Sequence, residues 1–232
     1  MNRSPDPMVS GILAITERML GEGMRDHPVA RQLQGEAHRL RDGARALDNV
    51  NANRSPLDTP AAHVLKVAKL ARAFDKQITA SLNRALIQWS EGKQAIQQRI
   101  EEKINLKPDG YAGAIAARFS QLNSKAQAKM LSEMVDENRG PELAAIIRAP
   151  RSLTGLNPLQ IEMYGQAVAS KHAADELAEI EKLDTVYQAF DAVQRAAGNL
   201  KKRLDDPAKL AEIERGANAA EEAGQDFDQS LQ

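Results

Sequence analysis

No proline interrupts the chain between Pro60 and Pro108, and across that span the apolar residues recur with a period of eleven. Val67, Ala71 and Phe74 are followed by Ile78, Leu82 and Ala85, then by Trp89, Lys93 and Ile96, then by Ile100 and Ile104. The lone polar member of the series is Lys93. An eleven-residue period corresponds to about 3.67 residues per turn, close to the natural helical pitch, so the stripe stays on one side of a nearly straight helix. Thr59 is a favoured N-cap and Pro60 a favoured first helical residue. The pattern predicts one helix from Pro60 to Asn105, roughly 70 Å long at about 1.5 Å per residue. Leu65, Leu70 and Ile87 lie off the stripe and predict contacts on a second side.

A different spacing governs the C-terminal third. Asn157-Pro158 repeats the cap-then-proline signal, and the helix it opens is expected to break near Ser170-Lys171-His172. Leu183, Val186, Phe190, Val193, Ala197, Leu200 and Leu204 then step by three and four, a heptad seam of the kind that packs coiled coils. Ala189 and Ala196 flank it and permit close helix approach.

The remaining segments are shorter. Asp26 and Pro28 open a helix whose Val29, Leu33, Ala37, Leu40, Ala44 and Leu47 share one face. A preceding short helix is expected from Met8 to Leu20, stopped by Gly21 and Gly23, behind a loose arm over residues 1–7. Lys107-Pro108-Asp109-Gly110 reads as a turn. After it, Tyr111 to Leu122, a piece capped by Ser124, and a piece after Gly140-Pro141 read as short helices, and Arg151 to Leu156 as a loop. The segments are residues 1–58 (short helices and linker), 59–106 (long helix), 107–157 (short helices), 158–206 (second long helix, broken near 171) and 207–232 (acidic tail). Ala208 to Gly224 should form a weak helix and the last eight residues should fray. The fold class is all-α: an elongated bundle of two long helices around a middle group of short ones. Only eight aromatic rings are present, so small aliphatic side chains must supply most of the burial.

There is no cysteine, which excludes disulfides and thiolate zinc sites and suits a reducing compartment. No apolar run approaches the ~20 residues of a membrane span. The stretch Val9–Ile15 lacks the basic lead of a signal peptide, so none is expected. Net charge is −1, but residues 205–232 carry eight acidic and two basic groups.

The chemistry is sparse. Gly21-Glu22-Gly23 lacks the strand, third glycine and Lys-Ser/Thr ending of a phosphate loop. Glu101-Glu102 and Asp205-Asp206 are helix neighbours pointing roughly 100° apart and read as solvated surface. His63 and His172 read as capping or surface residues, and Trp89, in phase with the stripe, as packing. No catalytic, cofactor or metal site emerges, and an enzyme is not expected. The best phosphate-contacting face is Arg31, His38, Arg41 and Arg45, diluted by Asp42. Lys201-Lys202-Arg203 is a second basic cluster, but cations in a last helical turn are already explained by the helix dipole. No aromatic residue is interleaved with either.

A stripe as long as Val67 to Ile104 needs covering, and a return helix from Leu177 to Leu204 spans only about half of it. Val67, Phe74, Ile78, Leu82, Trp89, Ile96, Ile100 and Ile104 are therefore the candidate interaction stripe. Leu106-Lys107-Pro108-Asp109 with Tyr111-Ala112, and Ala149-Pro150 with Leu153 to Pro158, carry a resemblance. Over residues 60–204 the order of elements resembles helical proteins of unknown function encoded among bacteriophage and prophage particle genes. The resemblance implies a virion or virion-assembly role and a location in the virion or the host cytoplasm. The expected partners are other protein subunits, as a homo-oligomer or part of a hetero-assembly. The alternative is a helical DNA-binding or regulatory protein.

Overall fold

Proline sets the start of most helices, and the caps around it follow the chemistry of each site. The computed structural model describes residues 7–19 and 24–230; all its regular elements there are helices, with no strand among the described residues. They are α1 (Pro7–Arg18), α2 (Pro28–Ala52), α3 (Pro60–Ile104), α4 (Ala112–Ser120), α5 (Ser124–Asp136), α6 (Gly140–Ile147), α7 (Arg151–Thr154), α8 (Pro158–His172), α9 (Ala174–Leu204) and α10 (Pro207–Ser230). The Gly21-Glu22-Gly23 stop, residues 1–6 and the side chain of Phe227 lie outside what is described.

Thr59 Oγ1 accepts the Ala62 N–H at 3.2 Å and caps α3. Asn157 and Gln160 form a capping box at α8, with bonds of 2.8 and 3.0 Å. Two caps differ from expectation. At α5 the cap is Asn123, whose Oδ1 takes the Ala126 N–H at 2.9 Å, so Ser124 is the first helical residue. At α2 it is His27, whose Nδ1 takes the Ala30 N–H at 3.3 Å. Arg151–Thr154, read as loop, forms a single helical turn stopped by Gly155 at φ 69°. The backbone of α10 stays helical to Ser230 instead of fraying after Gly224, in keeping with its many Ala, Glu and Gln residues.

The chain forms two compact units, Met1–Trp89 with Thr185–Gln232, and Ser90–Asp184. Both long helices, α3 and α9, contribute to each. In the first unit α2 buries Ala30, Leu33, Ala37, Leu40, Ala44 and Leu47. It also buries Glu36, which is 3% exposed. Arg84 of α3 grips that carboxylate through two bonds of 2.9 Å, and Arg39 adds a third contact. Gln77 Nε2 donates to Arg39 O at 2.9 Å, and Gly43 lets the Phe74 ring lie against the α2 backbone. Trp89 stacks on Tyr187 of α9, with ring centroids 4.7 Å apart.

In the second unit the ladder between α3 and α9 is ionic. Lys93 meets Asp184 at 2.9 Å, Arg99 meets Glu179 at 2.5 Å and Lys103 meets Glu176 at 3.0 Å. The lysine in the stripe is thus matched by a carboxylate from the facing helix. Both members of that pair are half-exposed, so solvent screens them. Replacing Lys93 by leucine is expected to change stability by no more than about 1 kcal/mol in either direction. Chemical denaturation checks this; a loss above about 2 kcal/mol would show that the pair behaves as a desolvated one.

α8 ends without glycine or proline. His172 Nε2 contacts Val135 O at 2.6 Å, Lys171 pairs with Asp136 at 2.6 Å, and Ala173 is buried with φ −133°. These anchors to the C-terminal end of α5 break the chain one residue past the expected position.

Most residues of the two series lie in the interior, with one correction. The heptad positions Leu183 to Leu200 are buried and Leu204 is half-buried. Of the stripe, Val67, Phe74, Ile78, Ile96, Ile100 and Ile104 are buried, and Leu82 and Trp89 half-buried. The expectation that the chain cannot cover its own stripe is therefore wrong. α9 is not alone on it: α2 packs along the first half, and the turn into α6 seals the end. There Asn138 Nδ2 donates to Lys103 O at 3.3 Å and Gly140 abuts Ile104 O. Leu65, Leu70 and Ile87, expected to contact a second layer, are exposed. No helix among the described residues is long and apolar enough to cross a membrane.

Candidate interaction surface

The second unit is built around α6, whose Leu143, Ala144, Ala145 and Ile146 are buried beneath α4 and α5. Alanines allow α4 and α6 to approach closely, but small side chains also leave space. Ala112, Ala116, Ala144 and Ala145 floor an apolar groove of about 260 Å³, walled by Pro108, Pro150 and Leu153. Arg148 stands at its edge, exposed and without an ion pair among the described residues. Leu153 belongs to a second cavity as well, of about 460 Å³, bounded by α5, α7 and α8.

α8 turns little of its surface inward. Of its fifteen residues only Val168 is buried. Leu159 is 74% exposed and Met163 51%. Spaced by four, these two share one side of the helix. Tyr111, 75% exposed, precedes the groove residue Ala112. Scattered exposed apolar residues are ordinary. Here Tyr111, Leu153, Leu159 and Met163 gather on elements that also line two depressions, the pattern of an interaction face. The sequence held a signal for this. Leu159, Ile161, Met163, Tyr164 and Val168 are spread around α8 and cannot all turn inward.

The sites expected from sequence are placed differently. The Val67–Ile104 stripe is interior packing, and Trp89 packs on Tyr187. On the α2 face, Arg31 and Arg45 are exposed, and among the described residues Arg31 reaches only the Asp26 carbonyl, at 3.4 Å. Arg41 is tied to Asp42 at 2.9 Å. Burial, together with the charge of Arg41, disfavours the charged form of His38 and holds it below the usual histidine value against the opposing pull of Asp42. In the other cluster Lys201 lies 3.8 Å from Asp75 and 3.4 Å from Asp205. Asp205 also binds Arg72 at 2.9 Å, and Asp206 caps α10 through the Ala208 N–H. Both basic clusters are thus partly neutralised by carboxylates of the same chain. His63 Nε2 contacts Asn51 O at 3.3 Å. Leu210 anchors α10 in a small cavity wall shared with Val67 and Leu204.

No family model matches the chain, and no curated protein and no solved structure matches it either.

Proposed function

We propose that the chain is a structural or interaction protein of a large assembly, a bacteriophage virion or virion-assembly component, and that it docks other protein subunits through the α7–α8 face of its second unit. One observation carries this reading: α8 keeps Leu159 and Met163 in solvent while burying only Val168. An exposed apolar pair on one side of a helix is what the centre of a protein interface requires. The order of helices and the turn signals of residues 60–204 support the phage assignment by resemblance.

The test is a Leu159→Glu, Met163→Glu double variant. Two apolar anchors lost at an interface cost about 2 kcal/mol each, so association should weaken by more than tenfold. Helix content should not change and the melting temperature should change little, because both residues are more than half exposed in the free chain. Sedimentation of the purified chain, alone and with the particle it is isolated from, reads both quantities. Equal association of wild type and variant would sink the proposal.

The DNA-binding alternative rests on Arg31 and Arg45, which keep exposed charge without a carboxylate partner among the described residues. Phosphate contacts by two arginines would give a log–log salt slope of about −2. A flat salt response discards that reading.

A further inference from the structure

The cavity bounded by α5, α7 and α8 differs in chemistry from the charged groove of the first unit. The groove between α3 and α9 in the first unit presents Asp75, Arg195, Lys201 and Lys202. This one, of about 460 Å³, presents Ser124, Gln127, Ser152, Thr154, Gln160 and Tyr164, and no carboxylate, ammonium, guanidinium or imidazole. Its size lies within the range of small-molecule sites.

Many of its hydrogen-bonding groups are uncommitted. Thr154 is 3% exposed, and its Oγ1 is buried with no hydrogen-bond partner. A buried hydroxyl in that state is uncommon, because desolvation without a replacement bond is unfavourable. The hydroxyls of Ser124, Ser152 and Tyr164 have no partner among the described residues either. Gln127 gives one N–H to Phe119 O at 3.1 Å and keeps its carbonyl. Gln160 commits its carbonyl to the Asn157 N–H at 3.0 Å and keeps its amide N–H groups. The wall therefore offers both donors and acceptors, close together, alongside the Tyr164 ring and the aliphatic side chain of Leu153.

We infer that this cavity binds a neutral saccharide. A charged ligand would find no counter-charge there, and an apolar one would strand the hydroxyls and amides. A sugar ring supplies hydroxyls that each donate and accept, matching a wall of the same kind, and its C–H face suits a tyrosine ring. The inference rests on the cavity and not on the Leu159–Met163 pair, although the cavity opens on the same α7–α8 face that the assembly reading assigns to docking.

The test is amide-shift titration of the full chain with maltose, cellobiose and chitobiose, with glucuronate, inorganic phosphate and a capped neutral tetrapeptide as comparisons. At least one neutral disaccharide should saturate, with shifts confined to residues 120–131 and 152–164. Tyr164→Phe and Ser152→Ala, which each remove one hydroxyl from the accessible wall, should each weaken it about tenfold without lowering the melting temperature. Failure of all three sugars to shift these amides overturns the inference. So does binding that is unchanged in every variant, or a response to the peptide, glucuronate or phosphate in place of the sugars.

Discussion

Gly140→Ala is expected to cost about 3 kcal/mol or more and to lower the melting temperature by about 10 °C. The methyl group would be driven into the carbonyl oxygen of Ile104 and would also come within 2.8 Å of Asn105 O. Those are backbone atoms at the end of α3, where Asn105 already adopts φ 42°, so no side-chain rotation relieves the contact. The first turn of α6 would have to withdraw from α3, and α6 supplies the centre of the second unit. The same substitution elsewhere gives internal controls. At Gly43 the new methyl meets Phe74 Cε2 at 2.5 Å, but an aromatic ring can tilt, and a smaller loss of about 1–2 kcal/mol is expected. At Gly35, inside α2 with nothing within 4 Å, alanine should stabilise by about 0.5–1 kcal/mol. Thermal melts of the three variants check the ranking. Equal losses at positions 140 and 35 would contradict the close approach of α6 to α3.

The second large effect is at the buried carboxylate between α2 and α3. Arg84→Ala should cost about 2 kcal/mol, less than the loss from a wholly buried pair because Arg84 is half-exposed. It leaves Glu36, which is buried, with only Arg39 and Ser81 to satisfy it. Glu36→Leu should be close to neutral, since it leaves an arginine that can reach water, and the double variant should recover most of the loss. The pH dependence follows from the same geometry. Burial by itself pushes the Glu36 carboxyl up, but hydrogen bonds from Arg84 and Ser81 and the charges of Arg84 and Arg39 outweigh it. The net result holds Glu36 below the ordinary value of 4.5. Its contribution to stability is then complete above 4.5 and is lost as pH falls through the lower folded value. Denaturation midpoints from pH 6 downward should show wild type losing a component that Glu36→Gln lacks. Parallel curves for the two would refute this.

These sites show which parts of the architecture were legible in the sequence. Helix starts were, because Pro60 and Pro158 each follow a residue whose side chain caps the helix. The inward faces of α3 and α9 were, because most of the apolar residues spaced along them are buried. Glu36 was missed although it breaks the α2 stripe as plainly as Lys93 breaks that of α3: it stands three residues after Leu33 and four before Leu40. Gly140 read as punctuation, since a sequence shows a glycine but not the carbonyl it admits. The coverage of the long stripe was misjudged for a similar reason. Length alone weighs α9 against α3, whereas the contacts of Gly43, Gln77 and Arg84 show α2 packing there too. The α7–α8 face was legible only as an excess of apolar residues around α8, and the cavity beside it, assembled from three helices, carried no local signal.

Oxidative footprinting of Met163 tests most directly the claim that α7–α8 is where another subunit docks. The methionines form their own scale: Met134 is wholly buried and Met19 and Met24 nearly so, whereas Met163 is 51% exposed. In the free chain Met163 should oxidise readily and Met134 should not. In the native assembly Met163 should become protected, with Met134 unchanged. Equal oxidation of Met163 in the free and assembled chain would contradict the account.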